Sequence, residues 1–280
     1  MTNSKRILKK KINTTGTYLI LLIVAFFTLM PFLWMLLSSF KSLDQIFASP
    51  VTLFPTEFTF KNYITIFKDY NFGRALFNSF YIGVIATGTS IFFCALAGYA
   101  FSKLKFKGKN ILFLSLVRSL MIPFQVTMVP AYALFNQLHW IDKHIGLIVP
   151  GMANAFGIFF MRQYMSGINY EIIESGRIDG CSEFGIFIRL ILPIARPAMA
   201  SLGIIFFMNS WNNFLWPMII LKSSENMTVA VAIRAFNSGV RTPYNLIMAA
   251  SFVSIIPLLI VFIAFQKEFI SGITKGAVKG

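Results

Sequence analysis

Four of the ten acidic residues of this chain, Glu171, Glu174, Asp179 and Glu183, fall inside one segment, YEIIESGRIDGCSEFGIFIRLILPIARP, residues 170–197, between two long apolar stretches. A charge at the centre of a bilayer costs about 2.5–3.5 kcal/mol on insertion scales. The segment is therefore expected on a membrane face. It reads as two short helices with a bend between them. Asn169 is placed to cap the first, with Glu171 in its first turn, where a carboxylate suits the positive end of the helix dipole. Gly180 would end that helix in a left-handed conformation. Ser182 would cap a second helix running to Leu192, broken by Pro193 and Pro197 before the next apolar span. The chemistry such an elbow offers is docking.

Groups suited to catalysis are scarce. His139 and His144 flank Asp142 in a loop, but no cysteine or helical HExxH accompanies them, and the reading here is against a metal site. No G-x-x-x-x-G-K-[ST] loop occurs, so ATP is not expected to bind this chain by that device, and the chain is not expected to be an enzyme. Asn209, Asn212, Asn213 and Trp216 recur at spacings of three and four, which on a continuous helix is one face. Amides exchange hydrogen bonds with sugar hydroxyls and an indole covers C–H surface. Interhelical packing bonds are the competing and favoured reading. Pro123 and Pro130 bracket Gln125 and Thr127 and predict a kinked, partly polar helix that could line a path. Arg118 either sits at membrane depth, facing a partner helix or an aqueous path, or snorkels to an interface a turn or two from Lys109.

The elements that position these residues are membrane helices. Hydrophobic residues make up 56% of the chain, charged residues 12%, and the mean hydropathy is +0.71, outside soluble-domain usage. Six stretches can cross about 30 Å of hydrocarbon, near 17–40, 76–102, 111–134, 144–165, 198–221 and 246–267. The fold class expected is an all-α integral membrane protein with six transmembrane helices; no alternating strands suggest a barrel. KRILKKK precedes the first span, whose apolar run is too long for a signal peptide, so a retained anchor is expected. None of the acids falls within a span, which disfavours a carrier coupled to protons or sodium.

Sixteen basic residues fall on the side shared by the N-terminus (1–16), residues 103–109, the elbow (166–197) and the tail (268–280), with Arg162 and Lys267 counted at the span ends that adjoin the elbow and the tail, against eight on the other. The positive-inside rule makes the first side cytoplasmic and leaves 41–75 outside, as a small cap separating the first span from a five-helix core at 76–267. The net charge of +15 suits anionic lipid headgroups and requires no nucleic acid. Cys94 and Cys181 are separated by position and compartment, so no disulfide is expected.

The elbow also carries a family resemblance. Glu174-Ser175-Gly176, three residues, Gly180, and then Ile191-Leu192-Pro193 resemble the EAA loop of the membrane subunits of bacterial ABC importers. The run ESGRIDGCSEFGIFIRLILPIARP is similar to the MalG-like branch, which imports di- and oligosaccharides. Ser175 and Gly176 stand where the family usually has Ala-Ala, and Cys181 where Ala is common; all are small. The resemblance continues through MIPFQVTMVPAYALF, GLIVPGMANAFGIFFMRQY and SWNNFLWPMIIL to FISGITKGAVKG, nearly the whole chain. The DGCSEFGIF run and the tail look most like arabino-oligosaccharide importers.

This resemblance implies the type I importer permease fold and a membrane subunit of an ATP-driven, binding-protein-dependent sugar importer. It implies as partners a second MalG/MalF-type permease, two cytoplasmic ATPase subunits carrying ATP and magnesium, and an extracellular sugar-binding protein. Glu174, Ser175, Gly176, Asp179, Gly180 and Pro193 would couple to the ATPase. Arg118, Gln125, Asn212, Asn213 and Trp216 would border the translocation path. The loop 222–245 would face the binding protein, and the glycine-bearing tail from Ser271 would insert, extended, between the ATPases, or else be an unstructured terminus. The alternatives are a stand-alone secondary carrier or channel, a membrane scaffold, or an ABC importer for another small solute such as glycerol phosphate.

Overall fold

The computed structural model of the protein describes residues 3–238 and 241–277. The elements are helical, and among the described residues there is no strand. Helix α1 is Asn3–Ser38, apolar from Thr14 onward. Helix α2 (Lys61–Lys68) lies in the segment before α3 (Phe72–Lys103). The third apolar stretch is two helices, α4 (Lys109–Ser119) and α5 (Phe124–Gln137). A turn at Ile145–Ile148 and a 3-10 turn at Val149–Gly151 lead to α6 (Ala155–Ser166). The elbow is α7 (Glu171–Ile178) and α8 (Glu183–Ile194). Then come α9 (Arg196–Asn212), α10 (Leu215–Ile220), α11 (Val229–Ala235) and α12 (Tyr244–Ala277).

Among the described residues, four helical stretches are each long and apolar enough to cross a bilayer, and up to six are if each bent pair counts as one span. Three expectations change here. Span three is not one kinked helix: α4 and α5 meet at 101°. Pro123 has no N–H to donate and biases Ile122 away from the helical region, so the break falls before it while Pro130 stays inside α5. Span five is interrupted at Asn213, whose backbone is extended (ψ 120°). The interruption lets Pro217 sit in the first turn of α10, where a missing N–H breaks no helical bond. The tail is not extended: α12 continues to Ala277, because between Gln266 and Ala277 only two isolated glycines oppose the helix, each at about 1 kcal/mol. Residues 278–280 of the tail lie outside the described residues.

The chain divides into two compact units, Met1–Tyr70 with Phe236–Ile255, and Asn71–Ala235 with Ile256–Gly280. Residues 236–255 therefore group with the first unit rather than with the rest of the expected core. In that unit the segment after α1 is ordered by side chains. Asn62 donates 2.8 Å hydrogen bonds to the carbonyls of Ser39 and Lys41 and accepts one of 2.7 Å from Asn245. The Lys41 ammonium is buried against the Trp34 ring and donates to the Thr52 carbonyl.

In the second unit, α3 packs along both α6 and α9. The core gathers Cys94, Ala95 and Tyr99 from α3, Met161 and Met165 from α6, and Ala198 and Leu202 from α9. It continues without interruption into the elbow through Ile173, Ile186, Phe187 and Ile191, each with no exposed surface. Close approach of α3 to α6 depends on Gly98, where an added Cβ would lie 2.6 Å from Met161 Cβ. The elbow is thus a buried-faced part of the bundle and not a solvated connector.

Candidate functional site

The elbow closes on itself through backbone bonds that its sequence dictates. Gly180 adopts φ +75°. The Gly180 amide donates to the Arg177 carbonyl and the Cys181 amide to the Gly176 carbonyl, a Schellman pair that satisfies the end of α7. Ser182 then caps α8, its hydroxyl accepting from the Gly185 amide at 3.2 Å. At the other end, Tyr170 occupies the cap position of α7, and Asn169 acts one residue earlier by accepting from the Glu171 amide. The expected bend at Gly180 and cap at Ser182 are both in place.

Two of the elbow's predicted coupling residues take other places. Gly176 is not on the outward surface: it is buried, and a Cβ there would meet Leu190 at 2.9 Å and Ile186 at 3.0 Å. It lets α7 lie against α8. Pro193 does not end α8. Phe187–Ile191 widens into a π turn just before it, and the chain turns by 78° only at Ala195, ahead of Arg196–Asn212. A π turn re-routes the carbonyls that a proline leaves without a donor.

The outward surface of the elbow carries Glu174, Ser175 and Asp179, all exposed, together with two large apolar side chains beside the bend. Ile178 is 86% exposed and Phe184 57%. Charged and apolar groups side by side on a rigid polar-faced element form a surface suited to a protein groove.

Across the bend, itself exposed, runs an ion pair that the sequence reading did not anticipate. Glu183 Oε1 accepts from Arg177 Nε at 2.6 Å, and Glu183 Oε2 accepts from the Tyr99 hydroxyl at 3.0 Å. Arg177 also donates to the Tyr170 hydroxyl at 3.0 Å. The Arg177 guanidinium holds the Glu183 carboxyl below the usual range against the opposing pull of partial burial, and the Tyr99 hydroxyl adds to the lowering. The six-residue separation of Arg177 and Glu183 is not a helical contact spacing; only the Schellman turn brings them together. Nothing in the sequence marks Tyr99, buried on α3, as their partner.

The residues predicted for a translocation path divide between the two broken spans. Arg118 lies exposed in the last turn of α4, just before the 101° break, and Gln125 lies exposed in the first turn of α5. Asn209, Asn212 and Asn213 are exposed near the end of α9, but Asn213 is non-helical and Trp216 belongs to α10, so the four residues do not share a helix face. Trp216 is 5% exposed. Its indole donates to the Gly146 carbonyl at 3.0 Å, and its ring meets Phe124 and Phe135 at 5.7 and 5.5 Å. The tryptophan is a packing residue whose contact with Phe124 joins the two breaks.

At the end of α3 remote from the elbow, Asp142 adopts φ +58° and accepts from the amides of Lys222 and Ser223 at 2.9 and 3.0 Å. Burial alone would raise this carboxyl, but the donated bonds prevail and hold it at about 2. His144 bonds to the Asn226 carbonyl at 2.9 Å. These residues fasten the loop after α10.

Residues 90–275 match the family described as binding-protein-dependent transport system inner membrane component. The chain is similar to the arabinooligosaccharides transport system permease protein AraQ of Halalkalibacterium halodurans, 35% identical over 92% of this chain and 93% of the relative. It is 37% identical to the AraQ protein of Bacillus subtilis over 90% and 91% of the two chains. To the lactose transport system permease protein LacG of Rhizobium radiobacter it is 30% identical over 97% and 98%. Among solved structures, a chain of a bacterial ABC transporter involved in the import of the acidic polysaccharide alginate superposes with a TM-score of 0.81, at 24% identity, over 96% of this chain and 99% of that one.

Proposed function

The chain belongs to the family of binding-protein-dependent transport system inner membrane components, and from that premise we propose that its elbow is the seat of a cytoplasmic ATPase subunit. It is the permease subunit of an ATP-driven sugar importer, a multi-pass protein of the cytoplasmic membrane and not itself an enzyme. The observation that carries the docking reading is the bend at Gly180, closed by its own backbone while Glu174, Asp179, Ile178 and Phe184 remain uncovered on its outer surface. An ATPase groove would cover the apolar pair, and basic groups at its rim would meet the two acids.

ATP and magnesium belong to that partner, present twice in the assembly, with a second MalG/MalF-type permease alongside and a sugar-binding protein outside. Closure of the ATPase pair would push on the elbow and alter the pathway through the membrane. The path follows the two breaks. Backbone groups freed at the ends of α4, α5 and α9 are tolerated at membrane depth only where they are covered by protein or line a wet cavity. Arg118, Gln125, Asn212 and Asn213 would line it, their donors and acceptors matched to sugar hydroxyls. Trp216 would hold the breaks together from behind. Both chain ends and the elbow face the cytoplasm on this reading, and loop 222–245 faces the binding protein.

The test is purification of the tagged chain in mild detergent. Stoichiometric ATPase and a second permease should accompany it. Uptake by the chain alone in proteoliposomes, without either, would replace this reading by a stand-alone carrier. Single cysteines at Ser182 and Asn237 in a cysteine-free background should react oppositely with an impermeant thiol reagent on intact cells, Asn237→Cys labelled and Ser182→Cys protected.

A further inference from the structure

Helix α3 does not adjoin the elbow in the chain, yet it is tied to the elbow's entrance and to its bend by polar side chains. Lys103, buried at the last turn of α3, donates to the Ile168 carbonyl at the entrance of the elbow. Tyr99, one turn earlier and 2% exposed, donates to Glu183 at the start of the second limb. Glu183 in turn holds Arg177 of the first limb, so a single carboxylate joins α7, α8 and α3. The Tyr99 ring packs against Phe187 with centroids 5.5 Å apart, so the polar joint has an apolar backing.

The opposite end of α3 is fastened as firmly. Asn78 Nδ2 donates to the carbonyls of Glu225 and Met227 at 2.8 and 3.0 Å, and Ser79 Oγ accepts from the Val229 amide at 2.8 Å. Both side chains are buried. From Asn78 to Tyr99 is about 32 Å of uninterrupted helix at 1.5 Å per residue. Helix α3 keeps its bonded ladder throughout, whereas the stretches leading through α4 and α5 and through α9 and α10 are broken. The chain's own covalent route out of the elbow passes through the 78° turn at Ala195 and then the break at Asn213, two points where a displacement can be absorbed.

We propose that α3 is a strut coupling the elbow to the loop at 222–229, with Glu183 the positioning residue that makes the elbow and α3 move together. This rests on the elbow being the ATPase seat. A push on the elbow would then reach the far face of the subunit as a shift of α3, and occupation of the loop by a partner would be felt at the elbow by the same route.

Glu183→Gln keeps the shape of the joint and removes its charge; Tyr99→Phe removes the hydroxyl alone. The assembled importer carrying either change is reconstituted in liposomes with its binding protein and a sugar, and uptake and ATP hydrolysis are measured together. ATPase should co-purify at the wild-type ratio, while sugar moved per ATP falls by at least about fivefold, the lower end of coupling between distant sites. Stimulation of hydrolysis by the binding protein should fall with it. The double variant should be no worse than the more affected single one, since both cut the same tie. Unchanged sugar per ATP in both variants, or losses that merely track a smaller yield of assembled complex, overturns the strut. Failure of ATPase to co-purify even with the unaltered chain overturns the docking reading instead.

Discussion

The chain interrupts its helices in two regions, and it finishes them differently. In the elbow, the turn between α7 and α8 has a left-handed glycine, a Schellman pair, a serine cap and an ion pair across it. In the bundle, the break before α5 has no side-chain cap at Pro123, and that before α10 has none at Phe214. Arg118, Gln125, Asn212 and Asn213 beside those breaks are exposed. A turn whose backbone ends are closed by its own chain holds its shape when pushed. Polar groups left uncovered in an apolar setting need water, substrate or another chain. The first kind suits force transmission and the second suits a route that forms only in the assembly.

The comparison breaks most readily at Gly180. Gly180→Val places a β-branched residue at φ +75°, a conformation that costs about 1–2 kcal/mol or more for an L side chain. Space is not the obstacle, since a Cβ there meets nothing within 4 Å. Membrane insertion should be spared while ATPase association and sugar uptake are lost, as read by co-purification and by labelled-sugar uptake at equal membrane amounts. Wild-type association would show that the closure of this turn is irrelevant to docking.

A smaller effect is expected at the open breaks. Asn213→Leu keeps the bulk of the side chain and removes its amide, so uptake should fall by roughly tenfold, the worth of one or two hydrogen bonds, with assembly and ATPase binding unchanged. Uptake equal to wild type across several sugars would leave these amides as contacts to another subunit.

The smallest change sharpens the contrast between breaks and their backing. Trp216→Phe keeps the ring contacts and leaves the Gly146 carbonyl without its donor, a loss of about 1–3 kcal/mol. Thermal unfolding of the purified complex should shift down with little change in the uptake KM. A large rise in KM with unaltered stability would return Trp216 to the sugar path.

Much of the elbow was legible because its signals are local. Gly180 and Ser182 speak for their own backbone, and the structure has them as read. Gly176 was misread because its function is tertiary: its missing side chain makes room for Ile186 and Leu190, ten and fourteen residues on. The Arg177–Glu183–Tyr99 joint was invisible for the same reason. Hydropathy located the apolar stretches but could not see that two of them break, because a window average does not register where one proline removes a donor. Period counting then failed at Asn213, where the residues on either side of a break no longer share a helix axis. The tail was misjudged in the opposite direction, by giving glycine more weight than its helical neighbours.

The π turn at Phe187–Ile191 gives the elbow a strict length. Each helical residue rotates the chain by about 100°, so removing or adding one between Ser182 and Pro193 would turn the exit of α8 by that angle. Ile191 and Ala195, both fully buried, would swing out of the core, and α9 would leave the elbow in another direction. Beyond Glu183, substitutions along this stretch can be absorbed one at a time, but insertions and deletions cannot. The spacing from Ser182 to Pro193 should therefore resist length changes more stubbornly than the identity of any side chain within it, and a library of single-codon deletions across 183–192 should yield no active transporter.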